Sequence, residues 1–151
     1  MAGDAFERAV GALARRARTV AELAAWLEEH SYPLAEIADV IDRLVSIGEL
    51  NDERFAVRYA EDKRELRGWG PERIREALLA KGVERPLIEL AIAGSGGEDE
   101  LERAIGLLER RGEEPIDERA RARALAFLAR RGYESELAHE AVRGFERRRA
   151  A

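Results

Sequence analysis

At 151 residues the chain is long enough for one ordinary domain or a few very small ones. It has no cysteine, which excludes disulfides and thiolate metal sites, and its net charge of −5 excludes whole-surface attraction to nucleic acid. Charged residues make up 38% against 46% hydrophobic, a balance that an elongated all-helical protein accommodates better than a compact sheet.

The opening Met1-Ala2-Gly3-Asp4 carries no apolar signal core. No run of about 18 apolar residues follows anywhere. The expected location is therefore the cytoplasm, with no membrane contact. Helical periodicity then runs almost end to end. Helices are predicted over 4–17, 19–30, 33–47, 51–67, 71–81, 84–93, 98–111, 117–131 and 134–148.

Caps and breakers set these limits. Thr19 and Glu22 have capping-box spacing. Ile37, Val40, Ile41, Leu44 and Val45 form an amphipathic stripe that Gly48 ends. Asn51 caps the next helix, with Asp52 and Glu53 in its first turn and Leu50 and Phe55 spaced as a hydrophobic staple. Phe55, Tyr59 and Leu66 are its expected apolar positions, with Ala56 and Ala60 beside them and Phe55 in the core. Gly68-Trp69-Gly70-Pro71 breaks the chain, and Pro71 suits a first helical turn. Gly82, Gly112 and Gly132 read as further helix ends, and Ile74 as core.

The helices fall into three groups of three. Trp26 to Tyr32, Ala77 to Val83 and Phe127 to Tyr133 share one pattern: apolar, Leu, two variable residues, polar or basic, small, apolar. The offsets are 51 and 50 residues. One three-helix unit is too small to bury much core alone, so neighbours must share apolar surface. The expected architecture is all-α: three tandem three-helix, helix-turn-helix-like repeats over 1–48, 49–95 and 96–151, forming an elongated curved rod.

Catalytic constellations are missing from the pattern. His30 and His139 have neither metal-ligand nor nucleophile spacing. Gly94-Ser95-Gly96-Gly97 lacks the Lys-Ser/Thr of a phosphate loop and follows a helix, so it reads as a flexible connector. No enzyme activity and no cofactor are expected.

Two stretches carry a family signal. One runs from Ile47 to Ala56, through Gly48, Leu50, Asp52, Arg54 and Phe55. The other starts at Arg67-Gly68-Trp69-Gly70-Pro71 and continues through Ile74 and Leu78 to Lys81-Gly82-Val83. Together they resemble the central repeat of the RecX family. Leu13 to Arg16, with the helix leading to Tyr32, is similar to its first repeat, and Phe127 to Tyr133 to its third. Ser31 departs from the pattern by standing where the family has Gly, so another cap is expected at that helix end.

The resemblance implies a regulator of the RecA recombinase, acting in recombination, DNA repair and the SOS response. Such a protein would lie in the groove of a RecA–DNA filament, as a monomer, and hinder ATP hydrolysis and strand exchange. DNA would be met weakly or through the filament. The alternative is a helical-repeat module acting directly on nucleic acid.

Basic and aromatic residues are the candidates for partner contact. Residues 1–100 carry 14 basic and 21 acidic side chains, a net of −7, whereas residues 101–151 carry 12 and 10, a net of +2. In the later segment Arg119, Arg123 and Arg130 fall within about 40° on a helical wheel. Arg119 sits near a helix N-terminus, where a cation is disfavoured. In the central repeat the candidates are Arg64, Arg67, Trp69, Arg73 and Lys81, with Trp69 held between two glycines in a turn.

Overall fold

The structure is a computed structural model that describes residues 2–94 and 97–151. Among these residues it holds nine α-helices and no strand. They are α1 (Ala2–Arg15), α2 (Val20–Glu29), α3 (Leu34–Ser46), α4 (Asp52–Arg67), α5 (Pro71–Ala80), α6 (Arg85–Ala93), α7 (Gly97–Arg111), α8 (Glu118–Arg130) and α9 (Ser135–Ala150). The connector expected from Gly94 onwards falls partly on residues 95 and 96, outside the described residues.

Local chemistry fixes the helix starts. Thr19 Oγ1 accepts the Glu22 N–H and the Glu22 carboxylate accepts the Thr19 N–H, each at 3.1 Å, a reciprocal capping box. Asn51 Oδ1 accepts the Arg54 N–H at 2.9 Å. Asp117 does the same for Ala120 at 2.8 Å, so it is the cap of α8 rather than its first residue.

The turns that close α2, α5 and α8 share one geometry. The N–H groups of Tyr32, Val83 and Tyr133 donate to the carbonyls of Leu27, Leu78 and Leu128 at 3.3, 3.1 and 3.1 Å. Those of Ser31, Gly82 and Gly132 donate to Glu28, Leu79 and Ala129, each at 3.0 Å. The residue between them is left-handed in every case, with φ of 66° at Ser31, 82° at Gly82 and 95° at Gly132. The sequence offsets are therefore real structural repeats. No other cap replaces glycine at Ser31: the serine itself takes the left-handed conformation and carries the strain of its Cβ.

The chain divides into two compact units. The first comprises residues 1–58 and 78–88. In it α1 packs on α2 and α3 through Ala5, Ala9 and Ala12, all fully buried. Small side chains let these helices approach closely over Leu23, Leu27, Val40 and Leu44. Each buried Leu or Val stabilises by about 1.5–3 kcal/mol. The turn after α5 sits on the start of α2. Thr19 Oγ1 donates to the Lys81 carbonyl at 2.6 Å, and a Cβ on Gly82 would lie 2.4 Å from that of Ala21.

The second unit comprises residues 59–77 and 89–151. Its core joins Leu107, Leu108, Leu128, Tyr133, Val142 and Phe145, with α9 packed on α7 and α8. Here the turn after α8 sits on the start of α5. The Gly70 N–H donates to the Arg131 carbonyl at 2.6 Å, and the Glu72 N–H donates to the Gly132 carbonyl at 2.9 Å. Each unit thus contains the same joint, the middle-helix turn of one repeat docked on the middle-helix start of the repeat before it. Residues of α4, α5 and α6 are divided between the two units.

The buried face of α4 differs from the sequence expectation. Ala56, Ala60 and Arg64, spaced four apart, face inward, while Phe55 is half-buried and Leu66 is 77% exposed. Small side chains fill this buried face, and the larger residues lie partly or wholly outside it. The Arg64 stem can join them because Glu100 lies 3.9 Å from its guanidinium.

Candidate partner interface

The sequence-level candidates separate by unit and by exposure. Lys81 belongs to the first unit, where its Nζ lies 3.3 Å from Glu22 Oε2 and its carbonyl holds Thr19. That is a joint-forming role. The other seven lie in the second unit. Of these, Arg64 is 8% exposed, and burial beside Arg103 holds its guanidinium below the usual range. It is a core cation rather than a surface one. Arg67, Arg73, Arg119, Arg123 and Arg130 are exposed, and Trp69 is half-buried.

Trp69 is the centre of a cation–aromatic cluster. Gly68 is left-handed at φ 67°, and the Trp69 N–H donates to the Lys63 carbonyl at 3.0 Å, so the chain folds back over the end of α4. The Arg73 guanidinium then lies 4.2 Å from the Trp69 ring centroid and Lys63 Nζ lies 4.9 Å from it. Lys63 also sits 5.3 Å from the Tyr59 ring, which meets Trp69 edge-on at 6.3 Å between centroids. Cations at these distances are attracted to the ring quadrupole, by about 0.5–1 kcal/mol each at exposed sites.

The joint fixes Arg73 from the other side. Its guanidinium donates to the Arg130 carbonyl at 3.1 Å. That single bond brings the Trp69 turn and the end of α8 together, two candidate regions that lie far apart in sequence. Along α8 the three arginines are not equivalent. Arg123 Nε donates to Glu113 at 2.7 Å; that bond raises its pKa and lowers that of the Glu113 carboxyl. Among the described residues, Arg119 and Arg130 have no carboxylate within ion-pair distance. Their guanidiniums remain available to an anionic partner.

Tyr59 and Lys63 are part of this cluster and were missed as site residues in the sequence. Tyr59 reads as a core position there, and a lone lysine on a charged helix carries no signal. The four-residue spacing that puts both on one helix face was present, but only the fold-back of Trp69 gives it meaning.

Among the described residues, no group of three His, Cys, Asp or Glu is placed to hold a metal ion. The histidines are tied to their own helices, with Nδ1 of His30 and His139 at 2.7 and 2.8 Å from the Trp26 and Ser135 carbonyls. The arrangement can bind and orient acidic or phosphate oxygens, through guanidinium N–H groups that stay free while the cation rests on a ring.

Comparison with known proteins agrees with the repeat structure. Three family models match: the first three-helix domain of RecX over residues 5–44, the second over 51–92 and the third over 98–142. Among curated relatives, Regulatory protein RecX of Mycobacterium ulcerans is 37% identical over 135 residues, covering 86% of this chain and 78% of that one. The protein of the same name from Trichlorobacter lovleyi is 35% identical over 139 residues, covering 89% and 90%. The fold is similar to the crystal structure of RecX from Lactobacillus salivarius, with a TM-score of 0.88 at 18% identity and 96% of each chain covered.

Proposed function

The chain belongs to the RecX family, and on that premise we propose that it is a non-catalytic regulator of the RecA recombinase. It binds in the groove of the RecA–DNA filament and lowers ATP hydrolysis and strand exchange. The observation that carries this reading is the Trp69 cluster. It presents Lys63 and Arg73 on an aromatic platform, and Arg73 is bonded to the end of the helix that bears Arg119, Arg123 and Arg130.

The physical basis is additive contact. Three repeats, over 1–48, 49–95 and 96–151, meet several protomers at once, and modest contacts multiply through effective concentration. Occupying the groove then excludes a second DNA and changes the stability of the filament. The protein works as a monomer in the cytoplasm. No described helix is long and apolar enough to cross a membrane.

The test is co-sedimentation with RecA filaments, with and without a non-hydrolysable ATP analogue, followed by the effect on DNA-dependent ATP hydrolysis. Binding to the filament together with reduced hydrolysis supports the reading. A protein that stays in the supernatant overturns it. The second reading, a module acting directly on nucleic acid, is favoured by the same cations. Binding through phosphates falls steeply with ionic strength, and docking on filament protein falls less.

A further inference from the structure

A buried polar cluster lies inside the second unit, away from the exposed cations of the partner interface. Arg64 on α4 is 8% exposed, Glu100 on α7 is 7% exposed and Tyr133 in the turn after α8 is 4% exposed. The half-buried Arg103 and Arg131 belong to the same unit. Arg64 Nε and Arg103 Nη1 lie 3.9 and 4.0 Å from one oxygen, Glu100 Oε1. A hydrogen bond from N–H to oxygen needs about 2.7–3.2 Å. The carboxylate therefore pairs with both guanidiniums without accepting a hydrogen bond from either of these nitrogens.

Four donors are left over. Among the described residues, Arg64 Nε and Nη2, Arg103 Nη1 and the Tyr133 hydroxyl are buried with no hydrogen-bond partner. Nε and Nη2 form one edge of a guanidinium, whose parallel N–H groups grip an anion together. Arg64 leaves that whole edge unused. The charge is also uneven. Burial and Arg103 hold the Arg64 guanidinium below its ordinary range, against the opposing pull of Glu100 and Glu61. Tyr133 lies in the fields of Glu100, Arg103, Arg64 and Arg131 together. Among the described residues, three guanidiniums thus meet two carboxylates.

The cluster is an addition to the packing that the repeats share. Ala5, Ala9 and Ala12 are buried on α1, and Glu100, Ala104 and Leu107 are buried at the same spacing on α7. Glu100 stands where the first repeat has a plain alanine. Tyr32, at the turn position matching Tyr133, donates its hydroxyl to Asp4 at 2.6 Å. The Tyr133 hydroxyl has no such acceptor among the described residues.

These features fix the class of ligand. The open positions are all donors, so the ligand is an acceptor. Arg64 and Tyr133 are nearly closed to solvent, which shuts out a nucleic-acid backbone or an acidic peptide. Glu100 repels a second negative charge, so the ligand carries one. Arg103, with its side chain 31% exposed, connects the cluster to solvent. Water can satisfy a donor but leaves the excess charge. We propose that this cluster binds a small monovalent inorganic anion, held by the Nε–Nη2 edge of Arg64, by Arg103 Nη1 and by the Tyr133 hydroxyl. The bound anion ties α4 to α7 and to the turn after α8. The site needs no RecA, so its test is separate from that of the filament reading.

The probe is chloride, exchanged for the bulky monovalent gluconate at constant ionic strength, with the full chain. The linewidth of the chloride nuclear resonance reads binding, and urea unfolding reads its effect on the fold. Saturable broadening is expected. Above the chloride Kd, the folding equilibrium constant should rise about tenfold for each tenfold rise in chloride. Arg64→Lys keeps the charge but loses the paired donors, and Arg103→Gln removes the more exposed cation. With helicity checked by circular dichroism, each should raise the chloride Kd by about tenfold or more, the worth of one hydrogen bond to a charged group. A wild type whose linewidth and stability ignore the exchange overturns the proposal, and Glu100 and water then suffice for the cluster. A chloride response that persists unchanged in a folded Arg64→Lys or Arg103→Gln also overturns it, by placing the anion on the surface arginines.

Discussion

A Cβ built on Gly132 lies 2.3 Å from the Cβ of Arg73 and 2.5 Å from its backbone nitrogen. The turn after α8 therefore approaches the start of α5 more closely than any side chain permits. This contact sets the position of Arg73, which in turn lies over Trp69 and bonds to the Arg130 carbonyl.

Gly132→Ala should destabilise the protein by at least about 3 kcal/mol, adding left-handed strain to a steric clash. Gly112 is also left-handed, at φ 81°, but a Cβ there would meet nothing within 4 Å. Gly112→Ala should cost only about 1 kcal/mol. Urea unfolding of the two variants compares them directly. Equal losses would show that the joint yields easily.

Ser31→Gly should stabilise the protein by about 0.5–1 kcal/mol. It relieves the left-handed strain at φ 66° and gives back part of the gain as chain entropy. A higher urea midpoint at unchanged slope is the expected result. A lower midpoint would mean that the serine side chain makes a stabilising contact.

Phe55→Ala should cost about 1–2 kcal/mol, well below the roughly 3–5 of a fully buried phenylalanine, because the ring is only half-buried beside the Ala56–Ala60 stripe. A loss in the upper range would place Phe55 in the core after all.

Tyr133 should make the protein sensitive to alkali. Burial pushes its phenol up to about 12 from an ordinary 10, and among the described residues its hydroxyl has no hydrogen-bond partner. The folded state holds this proton more tightly than the unfolded state. The contribution is therefore complete below about pH 10 and is lost as pH rises toward 12. Wild type should weaken across that window by up to about 2 kcal/mol more than Tyr133→Phe. The two should be nearly equal at pH 8. Parallel urea midpoints at pH 8 and 11.5 check both halves, and an identical alkaline loss in the variant would contradict the assignment.

Replacing Arg119, Arg123 and Arg130 together by Ala should raise the concentration that halves RecA's DNA-dependent ATP hydrolysis by about tenfold, near 0.5 kcal/mol per exposed charge. Most of the effect should come from Arg119 and Arg130, since Arg123 is held by Glu113. Stability should change little. The control triple is Asp39, Asp42 and Glu49, all exposed. Arg43 is unsuitable as a control because its guanidinium lies 4.0 Å from the Phe6 ring. Unchanged inhibition by the arginine triple would make the stripe an ordinary solvated face.

The sequence by itself determined the helices, their ends and the threefold repeat. Periodicity, Thr19, Asn51, Pro71 and the left-handed glycines all act within a few residues, so their consequences are written locally. It also carried the family, in motifs built from those same capping residues. It could not say which face of α4 is buried, because small Ala56 and Ala60 and charged Arg64 fill that face while the larger residues lie partly or wholly outside it. Nor could it separate the site residues. Lys81, Arg64 and Arg73 read alike as helix cations, yet one ties a joint, one is buried beside Glu100 and one rests on Trp69. Those differences depend on contacts between residues up to about sixty positions apart, such as Thr19 with Lys81 and Arg73 with Arg130. Only packing brings such pairs together, so only the tertiary structure decided them.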